Sequence, residues 1–206
     1  NLKLAKEYKM KKVSIINYGC GNYNSIIGML KKFDCETIVT SSIKDLERSD
    51  IIILPGVGTF PHAMKMLKKN NLVNYIKKLK NNKKKILGIC LGMQILTSSS
   101  EEIIHTKGLN IIPGKTNPIK SNFSHIGWNK LFFKNQNSKY SMLDGEYFYF
   151  QHKYIVSTNS KHQKAYTLNS EKITSFVQNN NIVGIQFHPE RSQNAGMTFF
   201  KIFLND

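Results

Sequence analysis

Cys90 lies in Gly88-Ile89-Cys90-Leu91-Gly92, where the apolar run 86–89 gives way to Leu91, Ile95 and Leu96 at helical spacing. A nucleophile between glycines two positions away on either side, on a sharp strand-to-helix turn, is the pattern of a nucleophile elbow. The demand is steric. The nucleophile takes a strained backbone conformation, and the flanking glycines let neighbouring chain approach closely. A following helix aims its positive end at the sulfur and favours the thiolate. A buried cysteine beside chance glycines would look the same, so the partners of Cys90 must decide. A thiol nucleophile needs a base, and the base needs an orienting group.

Phe187-His188-Pro189-Glu190 offers both. In extended chain, residues two apart point the same way, so His188 and Glu190 can face one site. Pro189 restricts how the pair moves. A carboxylate on one ring nitrogen sets the tautomer and leaves the other nitrogen for the thiol. A third segment, Pro55-Gly56-Val57-Gly58, follows the apolar run 51–54, at the strand end where wound α/β sheets place ligand-binding backbone. Acyl transfer from an amide develops a negative oxygen. The expected donors to it are the N–H of Leu91 and one from Val57 or Gly58. Taken singly, His-x-Glu reads as a surface pair and the glycine segment as an ordinary turn; together with the elbow they read as a catalytic triad with its oxyanion site.

Strand and helix patterns alternate through the first half. Strands are predicted at 13–16, 37–40, 51–54 and 86–89, with helical spacing from Ile26 to Phe33, Ala63 to Leu67, and Val73 to Leu79. Strands apolar on both faces suit a parallel sheet covered on both sides. The second half predicts strands at 126–133, 146–151, 154–157, 173–178 and 182–187, several antiparallel, and a last helix over 196–204. The expected fold is a single three-layer α/β domain over 10–206, flavodoxin-like, with a mostly parallel mixed central sheet. Residues 1–9 read as a leader or tag remnant outside that domain.

Composition narrows the class. No apolar run approaches the roughly 20 residues that span a bilayer, and the basic start lacks a signal peptide's apolar stretch. A cytoplasmic protein without a membrane partner is expected. The net charge of +17 invites a nucleic-acid reading, but the positive residues are lysines apart from Arg48 and Arg191. Arginine is the better residue for phosphate and base recognition, so the charge reads as solvated lysine rather than a nucleic-acid surface. Cys20, Cys35 and Cys90 have no paired spacing, which argues against disulfides or zinc. No metal or cofactor is expected.

Further motifs are Tyr18-Gly19-Cys20-Gly21-Asn22, Thr59-Phe60 after the glycine segment, Met93-Gln94 after the elbow, Gly108 to Gly114, His125-Ile126-Gly127-Trp128-Asn129, and Gln186 before the Phe-His-Pro-Glu. With these, the chain from Lys12 to Leu204 resembles the class I, triad-type glutamine amidotransferases. Within them it is most similar to the glutaminase subunits of imidazole glycerol phosphate synthase and their close paralogues. The resemblance implies that Cys90, His188 and Glu190 hydrolyse L-glutamine to glutamate and ammonia. It implies that Val57, Gly58 and Leu91 serve the oxyanion, and that Gly58, Leu91, Gln94 and Tyr154 bind substrate. It further implies a heterodimer with a (β/α)₈-barrel cyclase that receives the ammonia for histidine synthesis, with Asn22, Trp128, Tyr149 and Arg191 near the interface. Rearrangement at Val57 is the implied switch by which a liganded partner raises activity.

Three positions depart from the family pattern: Asn17 for the usual Asp, Lys153 for Ser or Thr, and Ser124 for Pro. They bear on the pathway rather than the chemistry. The alternative is a paralogue supplying ammonia to amidate a bacterial surface sugar.

Overall fold

Residues 10–121 and 123–205 are described by the structure, a computed structural model; the leader expected at 1–9 lies outside them. The first half alternates as β1 (Lys11–Ile16), α1 (Tyr23–Leu30), β2 (Cys35–Thr40), α2 (Ile43–Arg48), β3 (Ile51–Leu54), α3 (Phe60–Lys69), α4 (Leu72–Lys78), β4 (Lys85–Ile89) and α5 (Leu91–Ile95). Here α2 goes beyond the periodicity reading, because it buries only Leu46 and is started by the Ser42 hydroxyl accepting from the Asp45 N–H. Successive side chains of β3 enter opposite layers. Ile51 and Ile53 pack with α1 and the C-terminal helix, while Ile52 and Leu54 pack with α2, α3, α4 and α5. A strand buried on both faces needs apolar residues at every position, which is why its sequence is Ile-Ile-Ile-Leu.

The second half comprises β5 (Ser99–Ser100), β6 (Thr106–Lys107), β7 (Gly114–Pro118), β8 (His125–Lys130), β9 (Phe132–Phe133), β10 (Tyr147–His152), β11 (Tyr154–Thr158), β12 (Gln163–Leu168), β13 (Lys172–Asn179), β14 (Ile182–Ile185) and α6 (Gln193–Asn205). Among the described residues the central sheet has eight strands, in the order β2-β1-β3-β4-β14-β13-β12-β9. The pairs from β2 to β14 are parallel, and β13, β12 and β9 add antiparallel neighbours. The mixed, mostly parallel sheet agrees with the sequence expectation. No helix of the described residues is long and apolar enough to cross a membrane.

Two expected strands are corrected. The run 126–133 is two strands in different sheets: β8 pairs with β10 in a separate ribbon, and β9 joins the central sheet through β12. Leu131 divides them, its side chain fully buried and its N–H held by the Glu146 carbonyl. The run 182–187 ends as a strand at Ile185; the Gln186 N–H still donates to the Ser175 carbonyl at 3.0 Å, and Phe187 lies beyond the strand. Strands β7 and β12 escape the pattern because their fully inward residues are Thr116, Ala165 and Thr167 rather than large apolar ones.

Topology then makes a site. Strands β3, β4 and β14 lie side by side and parallel. The glycine segment, the elbow and the His-Pro-Glu segment follow their carboxyl ends. Three segments distant in sequence thus emerge on one edge of the sheet.

Candidate active site

Cys90 sits between β4 and α5 at φ 52°, ψ −109°, a left-handed conformation rare for a residue with a side chain. Its N–H donates to the Ile185 carbonyl at 2.8 Å and its carbonyl accepts from Gln94 N–H at 3.1 Å, so the adjacent strand β14 and the following helix α5 hold the turn. The flanking glycines are required by contact. A Cβ on Gly88 would lie 2.7 Å from the Gly92 carbonyl oxygen, and one on Gly92 would enter the Leu54 carbonyl. Gly56 packs as closely, since its Cβ would lie 2.6 Å from the Gly92 nitrogen. The glycine segment and the elbow are therefore pressed backbone to backbone.

His188 Nδ1 is 2.8 Å from Glu190 Oε1, with side chains 11% and 3% exposed. The local geometry differs from the extended chain expected. A short 3-10 turn over Pro189–Arg191 follows His188, curling Glu190 back beneath the ring. The His188 backbone is clamped by its N–H to the Tyr149 carbonyl and by Ser192 Oγ donating to its own carbonyl. Burial alone would push the imidazole down. Hydrogen bonds to Cys90 and Glu190, together with their charges, outweigh burial and lift it to about 10. The resting arrangement is thus an imidazolium held between sulfur and carboxylate.

A pH dependence follows from that lift. The folded value lies above the ordinary 6.5, so the stabilisation is complete below pH 6.5 and is lost as pH rises towards 10. Glu190→Gln removes the carboxylate that faces Nδ1. The Tm gap between wild type and Glu190→Gln is expected to be widest at or below pH 6.5 and to close towards pH 10. A gap independent of pH across that window would contradict the assignment.

Sulfur and imidazole open into a cavity of about 280 Å³, also lined by Val57, Gly58, Leu91, Gln94 and Tyr154. Every catalytic, oxyanion and substrate-binding residue expected from sequence therefore borders one space. Val57 is 53% exposed, and Gly58 has φ +114° with open space where a Cβ would stand. Gln94 Nε2 donates to the Tyr154 carbonyl at 2.9 Å and to Gln186 Oε1 at 3.2 Å. With both N–H groups engaged, Gln94 has only its carbonyl oxygen left to offer a ligand.

Among the polar groups here to which sequence reasoning gave no role are Gln186 and Glu102. Gln186, fully buried, donates from Nε2 to the Cys90 sulfur at 3.6 Å. Glu102 lines the cavity while accepting the Phe60 N–H at 2.7 Å. Burial raises its carboxyl above the ordinary value, against the lowering effect of that N–H. Gln186 stood beside a recognised motif and was legible by adjacency. Glu102 lies in an irregular stretch without periodicity, and nothing local marked it.

Of the residues expected at an interface, Asn22 and Arg191 line the cavity and Trp128 and Tyr149 do not. The last three still form one patch. Arg191 lies 4.1 Å over the Tyr149 ring and donates to Gln151 Oε1 at 2.6 Å, and Trp128 meets Tyr149 edge-on at 6.0 Å. Trp128 is 46% exposed, so it is a surface residue of the β8–β10 ribbon rather than core packing. Lys153 borders the cavity. Asn17 accepts the Gly19 N–H at 3.4 Å, supporting the turn after β1.

The glutamine amidotransferase class-I family model matches residues 14–205. Imidazole glycerol phosphate synthase subunit HisH 2 of Vibrio vulnificus is 42% identical over 201 residues, spanning 94% of this chain and 94% of that protein. The subunit HisH of Lactococcus lactis is 39% identical over 201 residues, spanning 96% of this chain and 100% of that protein. Among solved structures, PurLQS of Thermotoga maritima superposes with a TM-score of 0.73 at 19% identity, covering 95% of this chain and 99% of that one. At that identity the likeness is one of fold.

Proposed function

Because the chain belongs to the class I glutamine amidotransferases, and within them to the HisH subunits of imidazole glycerol phosphate synthase, we propose that this cavity hydrolyses L-glutamine and passes the ammonia to a cyclase subunit. The observation that carries the proposal is the convergence of Cys90, His188 and Glu190 on one cavity at the ends of β4 and β14. The Cys90 sulfur attacks the side-chain carbonyl carbon of glutamine, and the displaced electron pair moves to oxygen. The N–H of Leu91, with one from Val57 or Gly58, receives that oxyanion. As the intermediate collapses, the His188 imidazolium gives its proton to the departing nitrogen, leaving a γ-glutamyl thioester and ammonia. Neutral His188 then takes a proton from water as it attacks the thioester. Glutamate leaves, the sulfur regains its electron pair, and the imidazolium is restored. Glu190 holds the ring in one tautomer throughout. The free oxygen of Gln94 and the Glu102 carboxylate suit the substrate's ammonium group.

The partner is a (β/α)₈-barrel cyclase in the cytoplasm, docked over the ribbon that carries Trp128 and Tyr149, with Asn22 and Arg191 at the cavity mouth. The names of the relatives favour the imidazole glycerol phosphate reaction over ammonia supply for surface-sugar amidation. The test is reconstitution with that cyclase subunit, comparing glutamine and ammonium salt as nitrogen sources. Trp128→Ala is expected to lower glutamine-dependent synthesis about tenfold or more, as for an interface aromatic anchor, while ammonia-dependent synthesis is unchanged. Equal loss with both nitrogen sources, or with neither, would defeat the docking assignment. Absence of glutamine turnover in the wild-type complex would defeat the function.

A further inference from the structure

We propose that His125 and His152 are positioning residues: a buried imidazole pair that, through the Tyr154 carbonyl, sets the orientation of Gln94 at the substrate and ties it to the β8–β10 ribbon. The inference rests on the glutaminase reading for its kinetic consequence, though not for its geometry.

The two histidines are direct cross-strand partners in the ribbon. His152 Nδ1 lies 3.0 Å from the Tyr154 carbonyl oxygen, and His152 Nε2 lies 3.0 Å from His125 Nδ1. Asn129 Nδ2 reaches His125 Nε2 at 3.4 Å and the Leu168 carbonyl at 2.8 Å. Both ends are backbone carbonyls, which only accept, so every proton in a neutral array is assigned. The Asn129 amide must donate at Leu168, and its second N–H serves His125 Nε2. His125 then carries its proton on Nδ1 and donates to His152 Nε2. His152 carries its proton on Nδ1 and donates to Tyr154. Burial holds both imidazoles low, His125 to about 4 and His152 to about 3, the latter also through the charges of His125 and His188 and against the Tyr154 hydrogen bond. Both are therefore neutral near neutral pH.

The Tyr154 carbonyl receives a second hydrogen bond, from Gln94 Nε2 at 2.9 Å. Because donors enter it from both sides, the array cannot conduct a proton; it fixes orientation. On the far side, Gln94 donates to Gln186 and Gln186 to the Cys90 sulfur at 3.6 Å. One ordered set of donors thus runs from Asn129, next to the exposed Trp128, to the nucleophile. Phe150 supports it by stacking on His125 at 4.6 Å between centroids. Without the His125 donor, His152 Nε2 is a buried acceptor with no partner, while the Tyr154 carbonyl still requires the proton on Nδ1. The ring loses the contact that holds it in place against Tyr154, and the Gln94 amide that shares this carbonyl loses its fixed direction.

The experiment combines ¹⁵N NMR of the histidine side chains of the full chain with glutaminase kinetics of the reconstituted complex. Wild-type His152 is expected as the Nδ1–H tautomer. His125→Asn keeps a donor where Nδ1 stood, and should keep both that tautomer and the wild-type KM within about twofold. His125→Leu should leave His152 as Nδ1–H, move its Nε2 resonance to that of an acceptor without a hydrogen bond, and raise KM for glutamine about tenfold with little change in kcat, the size of one net hydrogen bond. A wild-type His152 in the Nε2–H form overturns the proposal even if the leucine variant does not fold. So does a KM that is equal in the leucine and asparagine variants. A wild-type complex without glutaminase activity would instead refute the functional reading, and the tautomers would still decide the array.

Discussion

Cys90→Ser is expected to reduce glutamine hydrolysis at least about 10⁴-fold, the scale on which removing a catalytic nucleophile acts. Serine preserves the Cβ, so the strained turn at φ 52° is asked of it unchanged. What it loses is the sulfur's readiness to carry charge beside His188. The imidazole is lifted to about 10 through its contacts with Cys90 and Glu190, and a hydroxyl in place of the thiol is the weaker nucleophile beside it. Gln186 Nε2, 3.6 Å from the sulfur, would then face a hydroxyl. The measurement is glutamate release by the variant bound to its partner subunit. Synthesis from ammonium salt by the same complex should remain at wild-type level, which separates lost chemistry from lost folding or docking. Residual glutamine hydrolysis within about tenfold of wild type would place the nucleophile elsewhere.

Gly92→Ala is the second large effect, and it acts on the fold and the site together. Its Cβ would overlap the Leu54 carbonyl oxygen, far inside the 3.0 Å that real Cβ atoms respect. Leu54 is the last residue of β3, a fully buried strand paired on both sides, so its carbonyl cannot retreat without opening the sheet. A loss of about 3 kcal/mol or more is expected, at the severe end for a single methyl group. Gly28→Ala is the matched control. It lies in α1 with open space around the added Cβ and should stabilise by up to about 1 kcal/mol through helix propensity. Urea titration of both variants measures the difference. A Gly92→Ala protein within 1 kcal/mol of wild type would mean the elbow does not need that close approach.

How legible the fold was depended on where each strand lies. Strands β1, β3 and β4 are buried on both faces and announce themselves as runs of Ile, Val and Leu. Strands β7 and β12 turn threonine and alanine inward, and a half-polar strand leaves no periodic trace. The division of 126–133 into β8 and β9 was equally hidden, because an apolar run does not record which of two sheets each half joins.

The same contrast governs the site. Local sequence determined the chemistry available: a cysteine between glycines, a histidine two residues before a glutamate, and a glycine segment after an apolar strand. These are demands that a few adjacent residues satisfy by themselves, through sterics and tautomer choice. Only the tertiary structure decided that β3, β4 and β14 are neighbours. It alone brought Glu102 to the cavity and Gln186 to the Cys90 sulfur, and gave His125 and His152 a shared proton arrangement. Contacts between distant segments depend on strand order and on which face each side chain enters, and neither is encoded in any short stretch of chain.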